Sequence, residues 1–259
     1  MSIVRVFEAN DLSPDESLEI LAFTRNSAGL RRLSLHEEAT QTWLSNSGRL
    51  VFKVFDIPRL KQRWRARWGI DCPEYGKRYG QAEFTNALRF AHLGISAPAL
   101  CAYIEMRGLL TCSRQVVVYR CLSGMRTLQE HLEAGAEPFA LLENIDTVLL
   151  EMTEKGVFHL DLNSRNVMLD RQGQVSVIDF EYVTWVAPGL ASLYGYYWGY
   201  LFQKWAGKHI GESEYESWVT ERLERQADRA SCSPREISRW YMTGKTKEFS
   251  RSKRYRMFV

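Results

Sequence analysis

Hydrophobic positions divide the chain into an early part rich in strands and a later part rich in helices. Runs of β-branched and aromatic residues predict strands at 3–7, 49–55, 99–106 and 115–120. Apolar residues at helical spacing predict helices over 18–23, 77–93, 127–132, 139–155 and 214–229. The helix at 139–155 has the clearest stripe, formed by Leu142, Ile145, Leu149 and Met152. This order predicts an α+β protein.

A further pair of short strands is predicted in the later part, at 166–170 and 174–178, joined by a polar turn that contains a glycine. A hairpin of this length brings Asp179, at its exit, back beside Asn166, at its entrance. Asp161 precedes Asn166 by five residues. Two carboxylates and one amide are therefore expected to converge at one end of a small sheet.

Such a set of oxygen donors suits phosphoryl transfer from ATP. That reaction needs Mg²⁺ held by hard oxygen ligands and a group that accepts the proton of the attacking hydroxyl. In the pattern His159-x-Asp161-x₄-Asn166 followed by Asp179-Phe180, the first Asp orients and deprotonates the nucleophile. Asn166 and Asp179 then hold the metal. The alternative is an ordinary hairpin whose polar residues lie at its solvated ends.

Residues 159–182, HLDLNSRNVMLDRQGQVSVIDFEY, resemble the catalytic loop and metal-binding segment of the protein-kinase-like superfamily. They look most like the heptose and Kdo kinases that modify the lipopolysaccharide core of Gram-negative bacteria. Two departures from the eukaryotic protein-kinase pattern are Leu160, where Arg is usual, and Glu181, where Gly is usual. The resemblance implies a two-lobed protein-kinase-like fold. Its small lobe would be residues 1–121, and its large lobe would be 122–259 with a basic tail.

The resemblance also assigns roles in the small lobe. Lys53 lies inside an apolar strand, where a cation is costly unless it is paired. It would bind the ATP phosphates and pair with Glu83 of the helix at 77–93. The alternatives are an edge-strand lysine that points into water and a glutamate on a solvated helix face.

The nucleotide site is less clearly marked by the sequence. No G-x-G-x-x-G pattern precedes Lys53, but Gly48 in Ser-Asn-Ser-Gly can form a tight turn over the phosphates. The lobes would be hinged at 119–122, where backbone groups of Tyr119 and Cys121 would meet the adenine. The expected cofactors are therefore ATP and Mg²⁺.

Composition adds information on the cellular compartment and on membrane contact. The five cysteines are scattered without a C-x-x-C pair, which favours a reducing cytoplasm over disulfides or zinc. No signal peptide and no run of 18 uncharged apolar residues is found. The segment 185–205 is dense in Trp and Tyr and predicts a buried helix, the alternative being contact with a membrane interface or a sugar.

The formal net charge is only +3, but cations are concentrated in two tracts, 59–67 and 245–256. Solvated faces are the usual reason for such runs. Both tracts also suit an anionic membrane surface or a phosphorylated oligosaccharide. No nucleic-acid recognition module and no obligate protein partner is indicated.

The predicted activity is transfer of the γ-phosphoryl of ATP to a sugar hydroxyl, by the resemblance on the lipopolysaccharide inner core. The predicted location is the cytoplasm, with peripheral association at the inner membrane. Three alternatives remain open. They are a kinase for another small molecule or a protein Ser/Thr, a nucleotide-binding pseudokinase, and a membrane-surface adaptor.

Overall fold

The computed structural model describes residues 3–8, 12–25, 30–33, 40–70 and 78–258. The strands are β1 (Ile3–Glu8), β2 (Arg31–Arg32), β3 (Thr40–Leu44), β4 (Leu50–Asp56), β5 (Leu100–Arg107), β6 (Cys112–Arg120), β7 (Arg126–Thr127), β8 (Val157–His159), β9 (Val167–Leu169), β10 (Val175–Val177) and β11 (Val183–Trp185). The helices are α1 (Pro14–Arg25), α2 (Leu60–Arg67), α3 (Tyr79–Leu93), α4 (Leu128–Glu133), α5 (Pro138–Glu154), α6 (Ala191–Lys204), α7 (Glu212–Arg229), α8 (Pro234–Thr246) and α9 (Arg251–Tyr255). These elements confirm the predicted α+β class.

The chain forms two compact units. Unit 1 comprises Met1–Ser123 together with Asp179–Glu181, and unit 2 comprises Gly124–Ile178 and Tyr182–Val259. This division lies two residues beyond the boundary expected between 121 and 122. It also places 179–181, which the sequence assigned to the C-terminal lobe, with the N-terminal unit.

Unit 1 is built on a six-stranded antiparallel sheet with the order β1-β5-β6-β4-β3-β2. Ile20 and Phe23 of α1 pack against a buried cluster that includes Phe52 of β4. Helix α1 begins at a reciprocal cap, in which Ser13 Oγ accepts from the Glu16 N–H and Glu16 Oε2 accepts from the Ser13 N–H. The helix therefore begins at Pro14, four residues before its predicted start at 18.

Helix α3 packs closely against the sheet at its first turn. A Cβ on Gly80 would lie 2.8 Å from the Cβ of Gln115 and 3.2 Å from the Phe55 ring, so only glycine fits there. Glu83 lies three residues later, on the same helix face. The predicted stop at Gly94 is confirmed by its left-handed φ of 67°. Lys77, where the helix was expected to begin, is outside the described residues.

Unit 2 contains the predicted hairpin. Strands β9 and β10 pair antiparallel with Val167 opposite Val177 and Leu169 opposite Val175. The turn uses Gly173 at φ 82°, as the polar turn predicted. Helix α5 buries the four residues of its predicted stripe, so its apolar face lies in the core of this unit.

The Trp- and Tyr-rich segment forms α6, which is buried along its length from Ala191 to Leu201. The expected buried helix is confirmed. Helices α6 and α8 cross at a distance that only glycine permits, because a Cβ on Gly199 would lie 2.0 Å from the Tyr241 carbonyl oxygen. A Cβ on Gly244 would likewise lie 2.4 Å from the Tyr196 carbonyl oxygen. The crossing holds α8, and the chain continues from α8 into α9.

The first basic tract forms α2, which presents an exposed apolar stripe. Leu60, Trp64 and Trp68 are 72%, 47% and 54% exposed, and their spacing of four residues places them on one broad face. Cations of the same tract flank this stripe. The tract is therefore amphipathic as well as basic.

The second basic tract is not the solvated tail that its composition suggests. Lys245 forms ion pairs with Glu212 and Glu216, and Arg254 is buried. Arg251 forms an ion pair with a residue of the predicted catalytic loop. Several cations of this tract therefore contact residues of unit 2 and do not extend into solvent as a free tail.

Candidate active site

In unit 1, Lys53 of β4 lies between two carboxylates. Its Nζ is 2.9 Å from Glu83 Oε2 and 2.5 Å from Asp179 Oδ1. The expected Lys53–Glu83 ion pair is present, and the alternatives of a lysine in water and a glutamate on a solvated face are excluded. We refer to Lys53, Glu83 and Asp179 as the lysine cluster.

Burial and charge act in opposite directions in the lysine cluster. Burial alone would lower the pKa of Lys53, but the carboxylates of Asp179 and Glu83 outweigh it and raise that pKa above its ordinary value. Burial also raises the pKa of Glu83, although the positive charge of Lys53 acts to lower it. The Tyr119 hydroxyl also donates to Glu83 Oε1 at 2.8 Å. Lys53 is thus a permanent cation at neutral pH.

The segment that carries Asp179 is held by contacts within unit 1. Asp179 has a left-handed φ of 70°, which is unusual for a residue other than glycine. Phe180 is fully buried, with its ring 4.7 Å from that of Phe90, and its carbonyl oxygen accepts a hydrogen bond from Asn86 Nδ2 at 2.8 Å. These contacts explain why 179–181 groups with unit 1.

In unit 2, the loop after β8 is braced by His159. The Asp161 N–H donates to His159 Nδ1 at 3.3 Å, so Nε2 carries the proton and donates to the Ile178 carbonyl oxygen at 3.2 Å. The His159 N–H donates to the Tyr197 hydroxyl at 2.7 Å. His159 is buried and acts here as a structural residue rather than as an acid or base.

Asn166 is oriented by the same loop. Its Nδ2 donates to the Asp161 carbonyl oxygen at 2.9 Å, and Asn163 Nδ2 donates to the same oxygen at 3.0 Å. The Asn166 amide nitrogen is therefore bound to the loop, and the metal-binding role expected for its amide oxygen remains a prediction. The Ile178 N–H donates to the Asn166 carbonyl oxygen, as the hairpin predicted.

Two arginines near Asp161 were not recognised from the sequence as site residues. Arg251 Nη2 donates to Asp161 Oδ2 at 2.8 Å, and its guanidinium lies 4.0 Å from the centre of the Tyr182 ring. Arg254 follows one helical turn later. We refer to Asp161, Arg251 and Arg254 as the arginine cluster. Only the basic character of the tract was visible in the sequence, because 90 residues separate Arg251 from Asp161.

The other residues predicted to contact the nucleotide are Gly48, Tyr119 and Cys121. Gly48 has φ 74° in the turn before β4, and its N–H donates to the Ser45 carbonyl oxygen. The Cys121 N–H donates to the Arg49 carbonyl oxygen, and its own carbonyl accepts from the Ser123 N–H. The Tyr119 side chain supports Glu83. The adenine-binding role expected for Tyr119 and Cys121 remains a prediction.

A family model described as the lipopolysaccharide kinase (Kdo/WaaP) family matches residues 72–184, a little under half of the 259-residue chain. Over these residues the predicted resemblance to this family is confirmed. The matched segment includes Glu83, Asp161, Asn166 and Asp179, whereas Lys53 and the arginines of α9 lie outside it. The match supports an ATP-dependent sugar kinase of the lipopolysaccharide core.

Solved structures agree with this family at the level of the fold. WaaP in complex with acyl carrier protein has a TM-score of 0.55 at 15% identity, covering 92% of this chain and 99% of that one. A crystal structure of WbdD has a TM-score of 0.51 at 16% identity, covering 86% of this chain and 48% of WbdD. Another, of the bifunctional kinase-methyltransferase WbdD, has a TM-score of 0.50. The predicted kinase-like fold is confirmed.

Curated proteins provide no match to the chain. Among the described residues, no helix is both long enough and apolar enough to cross a membrane.

Proposed function

We propose that this protein transfers the γ-phosphoryl of ATP to a hydroxyl of a sugar in the lipopolysaccharide core. The observation that carries the proposal is the lysine cluster, in which one buried ammonium is shared by Glu83 and Asp179. An intact Lys–Glu pair is what a kinase needs to position the phosphates.

Each residue of the proposed site has a role that its contacts support. Lys53 binds the phosphates, and Glu83 positions Lys53. Asp161 accepts the proton of the acceptor hydroxyl. Catalysis then consists mainly of orientation and charge neutralisation.

We assign Asn166 and Asp179 to Mg²⁺ from the resemblance, and their chemistry suits the ion because an amide oxygen and a carboxylate are both hard donors. No group of three or more His, Cys, Asp or Glu side chains in the described part of the chain is arranged to hold a metal. Two protein ligands are typical of Mg²⁺ that is shared with substrate phosphates. Bound there, the ion would neutralise charge on the transferred phosphoryl group.

The deciding experiment measures transfer of label from γ-labelled ATP to lipopolysaccharide isolated from a strain that lacks this gene. We expect transfer by the wild type and a loss of about 10²-fold to 10⁴-fold for Asp161→Asn, the range for removing a general base. Asp228→Asn, on α7, is the matched control and should retain activity. Absence of transfer by the wild type, with ATP binding intact, would leave a pseudokinase or a kinase for another acceptor.

We further propose that α2 contacts an anionic bilayer at the cytoplasmic side, where ATP is available. The exposed stripe of Leu60, Trp64 and Trp68 is flanked by Arg and Lys, a combination that suits lipid headgroups. Sedimentation with phosphatidylglycerol vesicles should be reduced in Trp64→Ala. It should be unchanged in Leu18→Ala, which removes an exposed apolar side chain from α1. Equal binding to phosphatidylcholine vesicles would contradict this contact.

A further inference from the structure

Arg254 is a buried cation with unused hydrogen-bond donors. Only 6% of the residue is exposed, and its Nε and Nη1 have no hydrogen-bond partner among the described residues. Its guanidinium lies over the Tyr200 ring, 4.9 Å from the ring centre. Ring stacking satisfies a face of a guanidinium and not its N–H groups. A buried charge of this kind destabilises the fold unless a partner arrives.

The surroundings of Arg254 are positive. Arg251 lies one turn earlier on α9, and Asp161 is the carboxylate that pairs with it. Burial raises the pKa of Tyr200. The charges of Arg254, Asp161 and Arg251 also influence this pKa, because all three groups lie near the Tyr200 hydroxyl. One carboxylate does not neutralise two guanidinium groups.

We propose that Arg251 and Arg254 form a subsite for an anionic group, a carboxylate or a phosphate ester, carried by the acceptor sugar. This inference rests on the proposed function, because the subsite adjoins the carboxylate that receives the acceptor hydroxyl. Arg251 supplies a second guanidinium beside Arg254, with one of its N–H groups bound to Asp161 Oδ2. Arg254 contributes the two donors that have no partner. The subsite therefore selects acceptors that carry a negative charge beside the phosphorylated hydroxyl.

The Arg251–Asp161 contact also gives Arg251 a positioning role. With Oδ2 engaged by Arg251, the carboxylate is held in one orientation for the acceptor hydroxyl. A neutral sugar would leave Arg254 buried without a partner, whereas an anionic sugar would satisfy it. The interaction of the two arginines with an anionic group therefore both orients the acceptor and disfavours uncharged analogues.

The test compares Arg254→Met with Arg256→Ala, which removes an exposed cation just after α9 whose side chain donates hydrogen bonds to Ser252. For Arg254→Met we expect the acceptor KM to rise about tenfold or more, with the ATP KM unchanged and kcat within about threefold. Arg256→Ala should match the wild type. An unchanged acceptor KM in Arg254→Met would overturn the proposal.

Two further measurements separate recognition from structure. The Tm of Arg254→Met should stay the same or rise, since removing an unpaired buried charge removes its cost. A fall of several degrees together with a normal acceptor KM would mark Arg254 as structural and would contradict the subsite. Arg251→Ala should weaken acceptor binding. Arg251→Lys keeps the positive charge but not the planar guanidinium with its paired N–H donors, so it should bind the acceptor better than Arg251→Ala but less tightly than the wild type.

Sulfate binding tests the subsite without turnover. With a non-hydrolysable ATP analogue and Mg²⁺ saturating the nucleotide site, sodium sulfate should raise the Tm of the wild type more than chloride at equal ionic strength. Arg254→Met should lose that difference, and Arg256→Ala should keep it. If sulfate binds through Arg254 while no phosphoryl transfer is detected, the subsite stands and the proposed function fails. If transfer occurs but sulfate has no specific effect, the subsite fails and the kinase stands.

Discussion

The lysine cluster and the arginine cluster have opposite charge balances. In the first, two carboxylates share one ammonium, and the Lys53 and Glu83 side chains are almost fully buried. In the second, Arg251 pairs with the single carboxylate of Asp161, and the neighbouring Arg254 lacks hydrogen-bond partners for its Nε and Nη1 among the described residues. Counted over its own three side chains, the lysine cluster has more carboxylates than cations, and the arginine cluster has more cations than carboxylates.

The difference indicates what each cluster binds. An excess of carboxylate attracts a divalent cation, and the fixed ammonium beside it suits the phosphates that accompany such a cation. An excess of guanidinium suits a carboxylate or phosphate ester. Uncompensated buried charge costs stability, so its presence in both units is best explained by ligands that complete it.

The largest expected effect comes from neutralising the lysine cluster. Asp179→Asn keeps the shape of the side chain but removes one of the two carboxylates, so the preference for a divalent cation should disappear. We expect phosphoryl transfer to fall by about 10³-fold, equivalent to about 4 kcal/mol of transition-state stabilisation. The measurement is kcat/KM over a titration of Mg²⁺, which should reach saturation only at higher concentration in the variant.

The control for this variant is Asp170→Asn, in the turn at the far end of the same hairpin. It should lower stability slightly, because Asp170 Oδ1 accepts from the Gln172 and Gln174 N–H groups, while leaving the Mg²⁺ dependence unchanged. Transfer by Asp179→Asn within tenfold of the wild type would contradict the role of Asp179 as a metal ligand.

A smaller effect is expected from the carboxylate that holds Lys53 but does not bind metal. Glu83→Gln retains an acceptor for the Tyr119 hydroxyl and leaves Lys53 with Asp179 alone. We expect kcat/KM to fall about 10-fold to 100-fold and the free energy of unfolding to fall by about 1–3 kcal/mol. Urea unfolding and steady-state kinetics on the same samples measure both.

Tyr119→Phe separates the ion pair of Glu83 with Lys53 from the hydrogen bond that Glu83 accepts from Tyr119. It removes only the hydroxyl that donates to Glu83, so we expect a loss of about 1 kcal/mol in stability and near-normal kinetics. If Tyr119→Phe lowers activity as much as Glu83→Gln, then the phenol rather than the Lys53 ion pair is what catalysis requires.

The smallest effect concerns an ion pair in unit 1 that lies outside both clusters. The hydrogen bond from Arg120, followed by that from the Ser13 backbone, lowers the pKa of Glu16 from 4.5 to about 2. Because the folded-state pKa is the lower one, the pair stabilises the protein above pH 4.5 and this contribution is lost as the pH falls towards 2. Arg120 is partly exposed, so the contribution at neutral pH is about 1 kcal/mol.

Glu16→Gln should therefore be less stable than the wild type at pH 7, and the difference should vanish in acid. Thermal unfolding over a pH series measures it. Activity at pH 7 and at a temperature well below unfolding should be unaffected, because Arg120 and Glu16 brace α1 against β6. A loss of activity without a loss of stability would mean that this pair also serves the active site.

Local signals explain most of the fold that could be predicted. Strand β4 around Lys53, helix α3 with its glycine stop, helix α5 and the hairpin of β9 and β10 were all expected. Each depends on residue periodicity or turn chemistry within a short segment. The Lys53–Glu83 pair was predicted from the resemblance to kinases, and the position of Lys53 inside an apolar strand agreed with it because a buried cation requires a partner.

The sequence by itself determined the β9–β10 hairpin, the strand that carries Lys53 and the resemblance to the lipopolysaccharide kinases. The tertiary structure decided that Asp179–Glu181 groups with unit 1, that Tyr119 supports Glu83, and that Arg251 of the basic tract pairs with Asp161. These features join residues far apart in the chain, such as Arg251 and Asp161, 90 positions apart. Local periodicity carries no information about such pairs. An arginine reads the same in the sequence whether its guanidinium is buried or solvated, and only the packing of the folded chain decides which it is.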